Sequence, residues 1–505
     1  MSINHPINPP DAHAQDPVLN RFLGAGMVLA LFLSLLMLMV RVLLVYARTA
    51  DLAGMEMNVI YGIQRIMSHN GLYTDPQQPP FAIVLYSPLY CYLVAGIAKL
   101  LRLQPGIDLL VIYEIGRWAN ILFNIASACI GYRILRDIFT VRRSAACLGA
   151  ALIWLCFYNI NYAVRPDSMK SFFFILGAYY FLLSGNTGKS KHVIIAAISG
   201  CCAAFAKQDG IIFCLVILVF YLWRKEYRLF IMALTAIAVT QLCFHAIMTA
   251  LYGQAFFLNT VKGLDNGISI EWLKFAFKGY PQRMFFFIAL GIGAGILFLW
   301  RGDSGAHRAL GLLALTTFCA ESALILKFGS VPAYFVDFHN LAFIVTGLIL
   351  GRTIGTGEDI FYQRLFAVLV ICALLIVPSY HLTDAKIFQT INDSREYDAD
   401  VALAKMLVPM LGCDSSRAYI TTTRPFLLNL AQPYVLDPQP DIADTCLYRR
   451  HVYRYDLFDS LVVRGKVRFM VRKSTDPPPA IKLGASLSRF RYWITVGQAG
   501  IWRYE

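Results

Sequence analysis

The sequence predicts an all-α polytopic membrane protein: about eleven transmembrane helices, further re-entrant or interfacial helices, and a small extracytoplasmic α/β domain at the C-terminal end. Three observations predict it. Hydrophobic residues make up 58% of the 505 and charged residues only 15%, with a mean hydropathy of +0.57, a balance that belongs to polytopic membrane proteins rather than to soluble domains. Apolar runs recur along the first 380 residues, joined by short loops in which Lys and Arg gather. From about residue 384 the chain turns charged and rich in turn formers. Much of the net charge of +14 falls in the short loops, where it sets topology and meets anionic lipid headgroups. It therefore does not call for a nucleic acid partner.

The chain opens with a polar, proline-containing tail (1–21) almost without basic charge, which reads as a disordered cytosolic segment rather than a signal or transit peptide. The first apolar run, 22–46, is followed by two acids, Asp51 and Glu56. Met55, Val59, Ile63 and Ile66 then recur at helical spacing up to Gly71, which predicts an amphipathic helix lying on the membrane surface. Tyr73, Asp75 and a turn with Pro76, Pro79 and Pro80 lead into YSPLY at 86–90. The apolar stretch 86–101 reaches only ~24 Å at ~1.5 Å per residue, against a hydrocarbon core of ~30 Å, so it reads as re-entrant or interfacial. The remaining spans fall at 108–133, 144–161, 168–184, 192–206, 210–223, 229–252, 282–300, 309–327, 334–351 and 363–380. A transmembrane region thus covers 22–383, with its first outer loop at about 47–107.

Loop charge orients these spans. One set of loops holds Arg133, Arg136, Arg142 and Arg143, then Lys189 and Lys191, then Arg224, Lys225 and Arg228, then Arg301 and Arg308, then Arg352 and Arg364. The alternate set is poorer in basic residues: Arg165, Lys207, Lys262, Lys274, Lys278 and Lys327. This bias predicts a cytosolic N-terminus and an outer face that carries everything after residue 380. On that outer face polar groups converge: Arg165 and Asp167, Lys207 with Gln208 and Asp209, Lys327, then Tyr334, Asp337, His339 and Asn340. Each alone has an ordinary explanation, because Lys and Arg snorkel and a lone His near a span end is more often structural. Together with Glu56 they suit a phosphate leaving group and a carboxylate that accepts a proton.

In their order and spacing these residues resemble bacterial polyprenyl-phosphate-sugar-dependent glycosyltransferases of the GT-C superfamily, which include protein mannosyltransferases and lipid A aminoarabinose transferases. The resemblance covers roughly residues 41–345. It is carried by Asp51 and Glu56, Gly71, Tyr73 to Asp75, Pro79 and Pro80, Tyr86 to Tyr90, Arg165 to Ser168, Lys207 with Gln208, and Gly329 to Asp337. The commoner pattern has an adjacent Asp-Glu, with a basic residue nine positions after the Asp. Here Glu56 stands nine before Arg65, so Glu56 matches the catalytic position and Asp51 competes with it.

The resemblance implies transfer of one hexosyl or pentosyl unit, with inversion, from a lipid-phosphate donor to a glycan, lipid or protein acceptor at the outer face of a bacterial inner membrane. It implies Glu56, Asp51 and Asp167 as catalytic, and Lys207, Arg165 and Lys327 as holding the donor phosphate. Tyr73, Asp75, Tyr86, Gln208, Tyr334, Asp337 and His339 would line the substrate. Two or three carboxylates are enough to hold a divalent cation, but no ligand spacing is diagnostic and a phosphate held by Lys and Arg requires none. Two other activities stand beside this one. An oligosaccharide ligase or polymerase would rely on Arg and His in a large outer loop, whereas the loop 253–280 has three Lys and neither. A secondary transporter would show inverted repeats and broken helices near the midplane.

The tail 384–505 carries short β-branched runs, AYITTT at 418–423 and LVVRGKVRFMVRK at 461–473, which predict a small α/β domain. Ten of the twelve cysteines lie in or near apolar segments. Cys413 and Cys446, alone in the tail, are candidates for a disulfide in an oxidising compartment.

Overall fold

The computed structural model describes residues 17–49, 52, 56–156, 162–265, 267–277, 280–327, 332–351, 357–382, 394–412, 419–422, 424–436, 456–473, 489–496 and 499–504. Asp51, Gly329, Cys413 and Cys446 lie outside these residues, and with them the disulfide expectation. The apolar runs become helices. First is α1 (Pro17–Val45), then α2 (Glu56–Met67), α3 (Leu89–Leu100), α4 (Leu109–Arg133), α5 (Arg143–Leu155), α6 (Asp167–Thr187), α7 (Ser190–Ala206), α8 (Ile211–Trp223) and α9 (Tyr227–Tyr252). After two short helices, α10 (Gln254–Thr260) and α11 (Ile270–Phe277), come α12 (Tyr280–Arg301), α13 (Gly305–Ile325), α14 (Val336–Gly351) and α15 (Gly357–Leu382).

Among the described residues five helices are long and apolar enough to cross a membrane: Pro17–Val45, Leu109–Ile138, Tyr227–Tyr252, Met284–Arg301 and Gly305–Ile325. Shorter apolar helices accompany them. In α1, Leu23, Leu33, Met37 and Leu44 are buried, while Val28, Leu31, Phe32 and Leu35 are exposed. A helix apolar on all sides with one bare face is suited to lipid. One large apolar cluster joins α1, α4 to α8 and α12 to α15. At its centre α14 is buried along almost its whole length, between α5, α12 and α13. The short α3 has 12 residues, about 18 Å, and packs on α2 and α4.

The structure departs from the sequence expectation at α2. Instead of lying on a surface, this helix is buried on both faces. Val59, Ile60 and Ile63 pack with Val84 and Val94, while Tyr61 and Met57 pack against Leu403, Leu407 and Leu428 of the tail. Its local periodicity shows one apolar stripe and says nothing of the distant segment that covers the other. Gln64 joins the two sides, donating through Nε2 to Pro105 O at 2.7 Å and Asn429 O at 3.2 Å. Gly71, at φ 71°, turns the chain away after the helix, a left-handed geometry that glycine adopts without a Cβ penalty.

The tail begins with α16 (Arg395–Gly412), followed by β1 (Tyr419–Thr422), α17 (Pro425–Leu430), α18 (Asp456–Val463), β2 (Val467–Lys473), β3 (Phe490–Val496) and β4 (Ala499–Tyr504). The strand order is β1-β2-β4-β3, with β1 parallel to β2 and the other pairs antiparallel. The β-branched run at 461–473 does not form one strand. Its first residues close α18, Gly465 turns at φ 68°, and only then does β2 start. Phe81, Ile83 and Leu85 pack against Leu436, Phe458, Val462 and Met470, so the loop before α3 is held under the sheet.

Candidate functional site

The densest knot of buried charge forms where α6 begins and α7 ends. Arg165 and Pro166 precede α6, and Asp167 stands in its first turn, where an acid opposes the positive end of the helix dipole. Lys207 is extended (φ −149°, ψ 134°) and stops α7. Asp167 accepts from Arg165 Nε at 3.1 Å and from Lys207 Nζ at 2.8 Å. Lys207 also lies 3.8 Å from Asp209. Asp167 is 2% exposed, Arg165 5% and Lys207 6%. Burial opposes the charge on Lys207, yet Asp167 and Asp209 outweigh it and hold the ammonium above the usual lysine range.

The turn that presents Lys207 depends on Gly210. A Cβ there would meet Ala203 C at 2.4 Å and Ala204 N at 2.5 Å, both backbone atoms of α7. Aromatic rings close over the cations. Lys207 Nζ lies 4.0 Å from the Tyr334 ring centroid, and the Arg165 guanidinium lies 5.7 Å from that of Tyr86. Lys327, just beyond α13, is pushed down to about 8 by burial and by the charge of Lys207. Arg165 and Lys207 therefore share Asp167, and Lys327 stands near Lys207 and Asp209.

A second layer fixes this knot. Lys170 of α6 pairs with Asp209 at 3.1 Å and with Asp337 of α14 at 2.8 Å. A cavity of about 10 Å³ borders Lys170, Asp209, Glu321 and Asp337, room for a single water. Gln208 donates to Leu85 O at 2.7 Å and to Thr260 O at 3.3 Å, tying the loop before α3 to the turn that holds Lys207.

Glu56, the residue expected as the base, is engaged by several donors in this structure. It is fully buried and surrounded by donors: Arg117 Nε and Nη2, both at 3.2 Å, and the backbone N–H groups of Leu52 and Val164, both at 2.6 Å. Arg117 also donates to Ala47 O at 2.8 Å and Thr49 O at 2.7 Å. Glu56 and Arg117 together bind the end of α1, the start of α2, α4 and the segment before α6. Asn120 of α4 adds a bond to Arg165 O at 2.9 Å, so α4 sets where Arg165 stands.

The other residues expected to line substrate divide. Tyr86 and Tyr334 meet the cations. Tyr73 donates to Tyr86 O at 2.8 Å and packs edge-on against Tyr252 and Phe256, so it is core. Asp75 accepts from Gln77 N at 2.9 Å in a local turn. Asp337 serves Lys170. His339 is buried beside Phe335, Phe338 and Phe343, with Nδ1 2.7 Å from Phe335 O. Lys170 and Arg117 were absent from the candidates, although each is an ionisable residue inside an apolar run, the feature that marks functional or strongly paired groups in membranes. Among the described residues no group of three His, Cys, Asp or Glu is arranged to hold a metal ion.

No protein-family model matches the chain, and no curated protein matches it. Solved structures do. ArnT from Cupriavidus metallidurans in the apo state aligns with a TM-score of 0.61 at 12% identity, over 94% of this chain and 97% of that one. ArnT bound to undecaprenyl phosphate aligns at 0.58 and 13% identity over the same shares. AglB, the archaeal oligosaccharyltransferase from Archaeoglobus fulgidus in complex with an inhibitory peptide and a dolichol-phosphate, aligns at 0.56 and 11%, over 96% of this chain and 74% of that one. The chain has the GT-C fold. In this GT-C fold the loop between α1 and α3, the start of α6 and the turn after α7 come together through Glu56, Gln208 and Asp167.

Proposed function

We propose that the chain is a multi-pass glycosyltransferase that moves a single sugar from a polyprenyl-phosphate donor to an acceptor hydroxyl, with inversion, at the outer face of a bacterial cytoplasmic membrane. The observation that carries this is the buried knot of Arg165, Lys207 and Asp167, with Lys327 beside it, in a fold shared with proteins holding undecaprenyl phosphate and dolichol-phosphate. Coverage of 97% of ArnT against 74% of AglB favours the single-sugar reaction over transfer of an oligosaccharide. The topology that goes with it has eleven spans, a cytosolic N-terminus and an extracytoplasmic tail.

In the reaction, the acceptor oxygen attacks C1 of the sugar, the C1–O bond to phosphate breaks, and the acceptor proton passes to a carboxylate. Lys207 and Arg165 hold the departing phosphate and offset the charge that grows on its oxygen. Donor binding draws these cations from the Tyr86 and Tyr334 rings. A base needs a lone pair that a hydroxyl can reach. Because the donors around Glu56 occupy both its oxygens, the base is Asp51, and Glu56 positions Arg165 through Val164.

Purified protein in lipid nanodiscs, supplied in parallel with polyprenyl-phosphate hexoses and pentoses and with polyprenyl-diphosphate oligosaccharides, each with an envelope glycolipid extract as acceptor, tests this. Expected is release of polyprenyl phosphate with one sugar added to acceptor, abolished by Asp51→Asn. Transfer of whole oligosaccharides, or release of diphosphate, would instead show the ligase reaction.

A further inference from the structure

Away from the cation knot, a cleft of about 610 Å³ opens between the end of α2 and the tail. Its size falls within the ~300–1,000 Å³ of ligand pockets. One wall comes from Tyr61 and Arg65 of α2 with Thr74 and the Pro79–Pro80 turn, the other from Tyr419 of β1 and the Gln432–Tyr434 turn. We infer that this cleft binds the saccharide part of the acceptor.

The lining chemistry selects the ligand. Two partly exposed tyrosine rings, Tyr419 and Tyr434, offer flat apolar faces of the kind that stack on the C–H face of a pyranose, and their hydroxyls remain polar. Ser68, Asn70, Thr74 and Gln432 add short hydroxyl and amide groups, the partners a polyol needs. The Thr74 hydroxyl is buried and has no hydrogen-bond partner among the described residues, a vacancy that a ligand hydroxyl would fill. Among the described residues no carboxylate lines the cleft, and Arg65 is the one charged residue in its lining. Two of its donors are spent on Asn70 O and Gly71 O. This suits a neutral or singly acidic sugar and repels no anion. A lipid chain would strand the amides and hydroxyls.

An extended peptide is disfavoured for a different reason. It would add to a sheet edge, and β1 is the edge strand on this side. That edge is already covered: Val435 bridges Ile420, and Leu436 N donates to Ile420 O at 2.8 Å.

Position agrees with an acceptor role. The segment that forms the cleft floor at Pro80 reaches Tyr86, beside Arg165, within six residues, which can span at most ~22 Å. A short oligosaccharide in the cleft can therefore extend one end toward the cations.

The assignment of this ligand as the acceptor rests on the transferase reading; the binding itself does not. The full-length protein in nanodiscs, without donor, is to be titrated with trimers of glucose, mannose, N-acetylglucosamine and galacturonic acid, using saturation-transfer NMR. At least one trimer should bind wild type. Tyr434→Ala and the isosteric Thr74→Val should each weaken it about tenfold or more with an unchanged thermal midpoint, whereas Lys207→Ala should not. Failure of every trimer to bind, or binding unmoved by both cleft variants, overturns the inference. Sugar binding without transfer counts against the transferase reading alone. Transfer whose acceptor KM is unmoved in both variants counts against the cleft alone.

Discussion

Glu56 and Lys207 are both buried charges near one segment, and their partners separate their roles. Removing one member of a buried pair leaves the other uncompensated, at ~3–5 kcal/mol. Glu56→Gln should therefore lower the thermal midpoint of the solubilised protein sharply, and Arg117→Gln should do the same. A fully stable Glu56→Gln that has lost turnover would return the base to Glu56. Lys207→Ala unpairs the buried Asp167 and so should lower the midpoint too, but it should also act on the donor. Losing a charge-assisted bond of ~1.5–3 kcal/mol predicts a ~10–100-fold rise in the Kd for undecaprenyl phosphate, read by isothermal titration. Lys327 adds a pH signature. Its ammonium, pushed down to about 8 by burial and Lys207, is lost as pH rises, so donor affinity should fall above that value. Lys327→Met should flatten the fall. Stability moves the other way: the unfolded chain holds this proton up to the ordinary lysine range, so between the two values a rise in pH favours the folded state. What the sequence shows at this scale is telling. Arg165, Asp167 and Lys207 are conspicuous as charges at span ends. The fate of Glu56 is invisible, because its partner Arg117 is 61 positions away.

At the scale of elements, the turn between α7 and α8 is the part most sensitive to small change. Gly210→Ala introduces a Cβ that meets backbone, not a movable side chain. Overpacking of this kind costs ~1–3 kcal/mol and should displace Lys207 with the turn. Weaker undecaprenyl phosphate binding and a lower thermal midpoint are expected together; unchanged values would mean that α7 and α8 can part at no cost. Apolar helices were legible in the sequence to within about six residues at either end, since lipid-facing and core-facing positions both demand hydrophobic side chains. Elements that depend on distant partners were not. The second buried face of α2 is made by Leu403 and Leu428. Likewise α10 is fixed by Asn259, which accepts from Val84 N at 2.7 Å and donates to Thr74 O at 2.7 Å. No local pattern carries that information.

At the scale of the whole molecule, contacts link the pieces that loop charge places on one side. Gln208 joins the turn after α7 to Leu85, Leu85 packs against the tail, and Tyr61 of α2 packs against Leu403. The cation knot, α2 and the sheet must therefore share a face of any bilayer that holds the chain. Lys189 and Lys207 flank the 17 residues of α7, about 26 Å of helix, so a crossing there puts them on opposite sides. Lys189 and Arg301 belong to the loops richer in Lys and Arg, for which the positive-inside bias predicts a cytosolic side. The expected outcome is concrete. In intact cells expressing a cysteine-free protein, an impermeant maleimide should label the exposed sites Ser68→Cys and Arg491→Cys. It should reach the equally exposed Lys189→Cys and Arg301→Cys only after lysis. Labelling of Ser68→Cys and Arg491→Cys on different sides would contradict the packing of α2 against the tail. If all four labels reversed together, the packing would stand and the site would face the cytosol, which would move the whole reaction to the opposite leaflet.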